Sequence, residues 1–243
     1  MPIIDESSLS KLLSENVTLR LIEPHIYSVI QDGVSTNFFD KMASFYDLVI
    51  CNPLYNCLVW GYSVKNYDIL THNALTSSKD GWVLDAGCGS LAFTARTYLR
   101  YSKRPVVLLD HSFRLLRIAK SRLTRLNGDV PANMVFLQGD ALQLPFRPKI
   151  FKTIISLNLL HVLDDVKKVL LGFRNILTDH GTMSFTTLIE NNRFADKYLY
   201  YVLGKAAGVV PRKAHDLFEM FNDISMPVKF DIMGNMAFIY YNI

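Results

Sequence analysis

In the run Val83–Ser90, VLDAGCGS, an apolar stretch closes on Asp85 and Ala86 and then turns through Gly87 and Gly89, and 21 residues after Gly89 comes Asp110, at the end of PVVLLD. The two glycines remove the Cβ atoms that would keep the backbone from bending sharply and approaching a ligand closely. An acid at the tip of the following strand can accept both hydroxyls of a ribose. A third element, FLQGDALQLPF from Phe136 to Phe146, brings Gly139, Asp140, Ala141 and Leu142 in behind another apolar run. A glycine turn after a strand is weak evidence alone, because any tight strand-to-helix loop favours glycine. Asp85, Asp110 and Asp140 make it stronger, since all three fall at the carboxyl ends of neighbouring strands, where open α/β sheets bind ligands. The chemistry these residues suit is the binding of an adenosine-containing cofactor.

The elements that must position them follow from periodicity. From Trp82 onward short β-rich runs alternate with amphipathic stretches: WVLDA, LAFTARTYLRY, VVLLD, SFRLLRIAKSRLTRLN, MVFLQ, IFKTIISL, DDVKKVLLGFRNIL and TMSFTTLI. That alternation predicts a parallel sheet with helices on both faces. Residues 1–80 show helical spacing at Ser8–Leu13 and from Phe38 through Val49, with Pro53 expected to end the second stretch, and are read as a helical cap or lid. Residues 81–243 form the core, carrying a helical insert at about 190–225. PVKFDIMGNMAFIYY predicts a terminal hairpin turning at Gly234-Asn235, with its second run antiparallel to the rest.

Composition narrows the class. With 243 residues, half of them apolar, the chain can bury a substantial core as one main domain. The net charge of +4 is spread over helix faces such as RLLRIAKSRLTR, which reads as a solvated surface and makes nucleic acid an unlikely partner. The three cysteines, Cys51, Cys57 and Cys88, have neither a CxxC pair nor zinc-like histidine spacing, so no metal site and no disulfide framework are expected, and a reduced, cytoplasmic setting follows. The start MPIIDESSLSKLL does not read as a signal peptide. The densest apolar region, Phe45–Tyr62, is interrupted by Asp47, Asn52, Pro53 and Asn56 and does not read as a membrane span.

In this order the motifs resemble those of the class I S-adenosylmethionine-dependent methyltransferases, in particular the small-molecule branch that includes the ubiquinone and menaquinone C-methyltransferases. VLDAGCGS is similar to the first family motif, VVLLDHS to the second, QGDALQLPF to the third, and IISLNLLHVLDD with FRNILTDHGTMSF to the fourth and the unit after it, covering roughly Phe45 to Leu188. The resemblance implies a Rossmann-like, mostly parallel seven-stranded sheet with an antiparallel C-terminal edge hairpin and a helical N-terminal lid. It also implies S-adenosylmethionine as cofactor and a small-molecule methyl acceptor as partner. It further implies that Asp85 helps orient the methionine amino group, that the backbone of Ala86, Gly87, Cys88 and Gly89 approaches the methionine moiety, and that Asp110 holds the ribose. Asp140 would accept from the adenine amine, the Ala141 N–H would donate to the ring, Gly139 would open that loop, and His111 and Leu142 would flank the purine. Tyr46 matches a position where an N-terminal helix covers the cofactor. Leu157 would lie beside the sulfonium, with Asn158 and His161 as candidates to orient or deprotonate the acceptor.

Two departures stand out. The family's first motif usually carries a third glycine where this chain has Leu91, and IFKTII has Lys152 where an acid is common. A methyltransferase-like protein that binds or scaffolds without catalysis is therefore one alternative. A nicotinamide-dependent dehydrogenase is another, because Gly87, Gly89 and Ala92 satisfy GxGxxA and Tyr201 with Lys205 forms a YxxxK pair. Against it, some 80 residues precede the glycine turn, and Asp85 and QGDA go unexplained. Nucleic-acid methylation ranks lower, since SLNL replaces the proline-aromatic signature that stacks on a flipped base. The insert's aromatics, Phe194, Tyr198, Tyr200, Tyr201, Phe218 and Phe221, would roof a partly apolar acceptor pocket.

Overall fold

The computed structural model describes residues 3–30, 52–191, 193–204 and 208–242. Helix α1 (Glu6–Ser10) starts at Asp5, whose carboxylate accepts from the Ser8 N–H, and a hairpin of β1 (Arg20–Glu23) and β2 (Ile26–Ser28) follows. Helix α2 (Pro53–Trp60) opens at Pro53 and gives way through Gly61 to α3 (Lys65–Thr76). Then come β3 (Trp82–Ala86), α4 (Ala95–Tyr101), β4 (Val106–Asp110), α5 (Phe113–Asn127), β5 (Met134–Gln138), β6 (Phe151–Leu157) and α6 (Val166–Ile176). The chain closes with β7 (Leu177–Leu188), α7 (Arg193–Tyr198) running into a π-helical turn at Leu199–Gly204, α8 (Ala214–Asp223), β8 (Val228–Met233) and β9 (Met236–Asn242).

Among the described residues nine strands form one sheet, ordered β1-β2-β5-β4-β3-β6-β7-β9-β8. Strands β2 through β7 pair in parallel, while β9 runs antiparallel to β7 and β8 antiparallel to β9. The order in which strands are laid down reverses at β3, with β4 on one side and β6 on the other, which creates the switch-point crevice at their carboxyl ends.

The side chains of each strand divide between two cores. Leu84, Val107, Leu109, Val135 and Leu137 pack beneath α1, α6 and α8. Val83, Val106, Leu108, Met134 and Phe136 pack beneath α2 through α5. Alternating residues facing opposite layers are the mark of a doubly wound sheet, and they leave both faces dry. At the end of the sheet away from the site, the buried Arg104 donates to the carbonyls of Gly81 and Leu75 and to Thr153 Oγ1, tying the β3, β4 and β6 segments together.

One expectation changes. The sheet has nine strands, not seven, because residues 20–28 supply β1 and β2 within a section expected to be helical. These strands are only four and three residues long, turn on His25 at φ 68° in place of a glycine, and β2 finds its partner in β5, Ile26 opposite Phe136. Pro53 begins a helix: Asn52 Oδ1 accepts from the Leu54 and Tyr55 N–H groups, and proline fits the first turn, whose N–H groups have no helical partner. The helical stretch Phe38–Val49 lies outside the described residues.

Candidate active site

The tip of β3 builds the site's floor. Gly87 and Gly89 adopt φ of 75° and 55°, and the Gly87 and Cys88 N–H groups both donate to the Leu109 carbonyl, at 2.8 and 3.0 Å. The glycines differ in what surrounds them. A Cβ on Gly87 would meet the Leu159 side chain at 3.1 Å, whereas a Cβ on Gly89 would meet nothing within 4 Å among the described residues. Gly87 is thus required by packing, and Gly89 borders open space. Leu91 takes the conformation usual for the glycine it replaces, φ 53°, with its side chain buried.

Asp85 is 1 % exposed; its Oδ2 accepts from the Tyr98 hydroxyl at 2.8 Å, and its Oδ1 has no hydrogen-bond partner among the described residues. Burial, with Asp110 nearby adding to it, pushes this carboxyl up to about 7 even though the Tyr98 hydrogen bond pulls the other way. Burial, Asp110 and Asp85 likewise raise the Cys88 thiol well above its ordinary range, so it is no nucleophile at neutral pH. Asp110 ends β4: its Oδ2 accepts from the Gly89 N–H and its Oδ1 from the Ser112 N–H, both at 2.8 Å.

The β5 tip joins the same row, since the Gly139 N–H donates to the Asp110 carbonyl at 3.1 Å. Asp140 Oδ1 caps the single turn Ala141–Gln143 by accepting from the Leu142 N–H, and the His111 carbonyl accepts from Gln138 Nε2. Ala86 is buried and its carbonyl accepts from Ser156 Oγ at 2.8 Å, which pins β6 to β3 directly below the crevice.

Beyond β6, the half-buried Leu157 leads into Asn158, which sits at φ 59°. Its N–H donates to the Thr186 carbonyl, its Oδ1 accepts from Thr186 Oγ1 at 3.1 Å, and its Nδ2 donates to the Tyr67 hydroxyl at 2.8 Å. His161 is buried, and its Nδ1 accepts from the Leu188 N–H at 3.1 Å, which places the ring proton on Nε2. Burial first and Arg212 second lower its pKa to about 3. A ring held neutral with Nδ1 already engaged is a poor proton acceptor and can offer only the Nε2–H.

The structure thus gathers Asp85, Ala86, Gly87, Cys88, Gly89, Asp110, His111, Gly139, Asp140, Ala141 and Leu142 along the tips of β3, β4 and β5, with Leu157, Asn158 and His161 at the neighbouring β6 tip; Tyr46 lies outside the described residues. Two features fit an adenosyl amino acid. The buried, unpartnered Oδ1 of Asp85 suits an ammonium group, and the open space over Gly89 suits a ligand in close approach. Among the described residues no group of three or more potential metal ligands occurs, and no helix is long and apolar enough to cross a membrane.

A methyltransferase-domain family model matches residues 77–224, more than half of the chain. The chain belongs to the class I S-adenosylmethionine-dependent methyltransferases. Among curated proteins it is similar to the malonyl-[acyl-carrier protein] O-methyltransferase of Hamiltonella defensa, 32% identical over 110 residues. That match takes in 45% of this chain and 39% of the relative, so it spans about two fifths of the relative's length. Among solved structures, a candidate S-adenosyl-L-methionine-dependent methyltransferase of Methanococcus maripaludis matches with TM-score 0.61 and 16% identity over 88% of this chain and 97% of its own. Phosphoethanolamine N-methyltransferase 2 of Haemonchus contortus, solved with S-adenosyl-L-methionine, matches with TM-score 0.64 and 14% identity over 89% of this chain and 62% of its own. A candidate methyltransferase of Haloferax volcanii, solved with the Trm112 methyltransferase activator, matches with TM-score 0.65 and 14% identity over 86% and 98%. These distant likenesses concern the fold. Membership of the family accounts for the motif order that the dehydrogenase reading left unexplained.

Several residues of the methyltransferase site escaped the sequence. Tyr98 was detectable in principle, as a tyrosine 13 residues past Asp85 on the helix after the turn. Tyr67 and Thr186 carried no local signal, because what makes them neighbours of Asn158 is tertiary packing across 91 and 28 residues. Phe221, expected in the acceptor roof, is instead fully buried against Phe185 and Phe230.

Proposed function

We propose that this methyltransferase acts on a small, partly apolar organic acceptor held over the β6 tip. When bound, S-adenosylmethionine supplies an electrophilic methyl group on a sulfonium. Asp85 and the Gly87–Gly89 backbone would hold the amino-acid end, Asp110 the ribose, and Asp140 with the Ala141 N–H the adenine, between His111 and Leu142. Asn158 would orient the acceptor, and His161 would donate through Nε2–H. Alignment of the reacting atoms can by itself contribute about 7 to 11 kcal/mol, and a carboxylate or other already nucleophilic acceptor needs no base.

The observation that carries this reading is the fixed Asn158 at the β6 tip, where the one titratable side chain assigned to the acceptor among the described residues, His161, is held neutral with Nδ1 already engaged. An acceptor that is nucleophilic without deprotonation fits such a site, and a malonyl group, which the curated relative's name includes, carries a carboxylate of that kind. Residues 1–80 and the segment 190–225 would supply the roof, where Tyr55, Trp60 and Tyr198 pack edge to face. The free thiols of Cys57 and Cys88 support a reduced, cytoplasmic setting. Incubation with methyl-tritiated S-adenosylmethionine and, in parallel, malonyl thioesters, aliphatic carboxylic acids, quinols and total RNA tests the proposal. Label in the organic acids or thioesters is expected; label confined to RNA overturns it.

A further inference from the structure

Beyond the β6 tip, Asn158 is one end of a buried chain of polar groups that reaches back into α2. Asn158 Nδ2 donates to the Tyr67 hydroxyl at 2.8 Å, the Tyr67 and Tyr62 hydroxyls are 2.6 Å apart, and the Tyr62 hydroxyl donates to Asn56 Oδ1 at 2.5 Å. The direction of the chain follows from its far end. Asn56 Nδ2 is committed to the Asn52 carbonyl at 2.8 Å, so Asn56 Oδ1 faces Tyr62 and can only accept. Tyr62 spends its proton there and must accept from Tyr67, and Tyr67, its own proton spent, accepts from Asn158. At the other side Thr186 Oγ1 donates to Asn158 Oδ1. The carboxamide of Asn158 is therefore held in one of its two flips, with Oδ1 toward Thr186.

The ring of Tyr67 is as fixed as its hydroxyl. It is fully buried, stacked on Phe93 at 5.1 Å and 16°, and edge-on to Tyr62 at 5.6 Å. Asn158 sits at φ 59°, a conformation asparagine tolerates, and its side chain is held from both ends by Tyr67 and Thr186. Asn56, Tyr62 and Tyr67 precede residue 77, where the family match begins, while Asn158 lies within it.

We infer that Tyr67 is a positioning residue for methyl transfer: acting through its hydrogen bond, and backed by Tyr62 and Asn56, it fixes which atoms of Asn158 face the transferred methyl and its acceptor. The inference rests on the proposed acceptor-side role of Asn158. With one flip imposed, Oδ1 keeps a free lone pair and Nδ2 keeps one free hydrogen for ligands.

The test needs no knowledge of the acceptor. S-adenosylhomocysteine and sinefungin share the adenosyl and amino-acid portions, but sinefungin carries an amine where the methyl would leave, so the ratio of their affinities reads polar groups on the acceptor side alone. Titration calorimetry on the full chain would compare wild type, Asn158→Gly, Tyr67→Phe and the double variant; glycine tolerates the left-handed backbone, and phenylalanine preserves the stack on Phe93. The expected result is a fall of about tenfold in the sinefungin preference for each single variant, the size of one lost hydrogen bond to a charged group. No further fall is expected in the double variant, and S-adenosylhomocysteine affinity should stay unchanged. A normal ratio in Tyr67→Phe with a reduced one in Asn158→Gly overturns the positioning role while leaving Asn158 in place. A normal ratio in Asn158→Gly overturns the acceptor-side reading of Asn158 and the inference with it. Tyr62→Phe, one step further from the site, serves if Tyr67→Phe does not fold, and must shift the ratio in the same direction.

Discussion

The Tyr98 hydroxyl donates to Asp85 Oδ2 at 2.8 Å and leaves Oδ1 of the same carboxyl buried with no partner among the described residues. The half-satisfied carboxyl is protonated to higher pH than an ordinary aspartate, with its folded-state pKa raised from 3.8 to about 7. A raised pKa means that the unfolded chain releases this proton first, so its contribution to stability is full below pH 3.8 and is lost as the pH rises through 7. In urea denaturation without cofactor, Asp85→Asn should lack this decline, making the difference between variant and wild type larger at pH 8 than at pH 5. Cofactor affinity should respond in the opposite sense, because an ammonium group favours the carboxylate: S-adenosylhomocysteine should bind wild type more tightly at pH 7.5 than at pH 6, and Asp85→Asn should show a weaker dependence.

The two glycines of the β3 turn should respond differently to alanine. Gly87→Ala places a methyl 3.1 Å from Leu159 at φ 75°, and should cost stability by a few kcal/mol through strain and overpacking. Gly89→Ala meets no atom of the described residues, so its cost to the fold should be limited to the left-handed backbone, about 1 kcal/mol. Its methyl enters the space assigned to the cofactor, and its main effect should be lost S-adenosylmethionine binding. Thermal denaturation and calorimetric titration of the same two variants separate the outcomes.

Leu91→Gly sets backbone strain against packing. Glycine relieves the φ of 53°, worth about 1 to 2 kcal/mol, while deleting a leucine side chain only 2 % exposed costs about 2 to 5 kcal/mol. Packing wins, so the variant should melt at a lower temperature than wild type. The departure from the glycine pattern is then a core substitution, and cofactor affinity of the folded variant should change little.

His161 should not set the pH profile of the reaction near neutrality. Its pKa of about 3 in the folded chain against 6.5 unfolded means that stability is full above pH 6.5 and is lost as the pH falls toward 3. His161→Asn, whose amide oxygen can replace Nδ1 as acceptor for the Leu188 N–H, should reduce the loss of stability between pH 6.5 and 4.5. A retained rate inflection between pH 6 and 7 in that variant would show that another group is responsible.

Asp110 does two jobs, and its removal should show both. Asp110→Ala takes the acceptor from the Gly89 and Ser112 N–H groups and, on the proposed assignment, from the ribose. Cofactor binding should weaken by about 1.5 to 3 kcal/mol, and the melting temperature should fall too, whereas a purely ligand-facing acid would leave it unchanged.

The parts of this site that could be read in the sequence are those where one residue type answers one local demand. Gly87 and Gly89 are required by backbone dihedrals, and Asp85, Asp110 and Asp140 close apolar strands at regular intervals, so turn, floor and strand tips were all visible. What could not be read depends on partners distant in the chain. The β1–β2 hairpin is too short to show alternation and is stabilised by β5, more than a hundred residues away. Tyr62 and Tyr67 look like ordinary helix and loop tyrosines until packing brings their hydroxyls together, and His161 could have been a base or a structural ring until Leu188 claimed Nδ1.

The turn between β8 and β9 rests on α2: the Asn235 N–H donates to the Trp60 carbonyl at 2.8 Å, and a Cβ on Gly234 would fall 2.0 Å from that same oxygen. During synthesis, α2 and the hydroxyl relay that begins on it therefore lack their final support until residues 228–242 have cleared the ribosome. The central strands can pair earlier, but the wall over the β6 tip is completed last, so a ribosome stalled before the hairpin would display a folded nucleotide cradle beside an unfinished acceptor side.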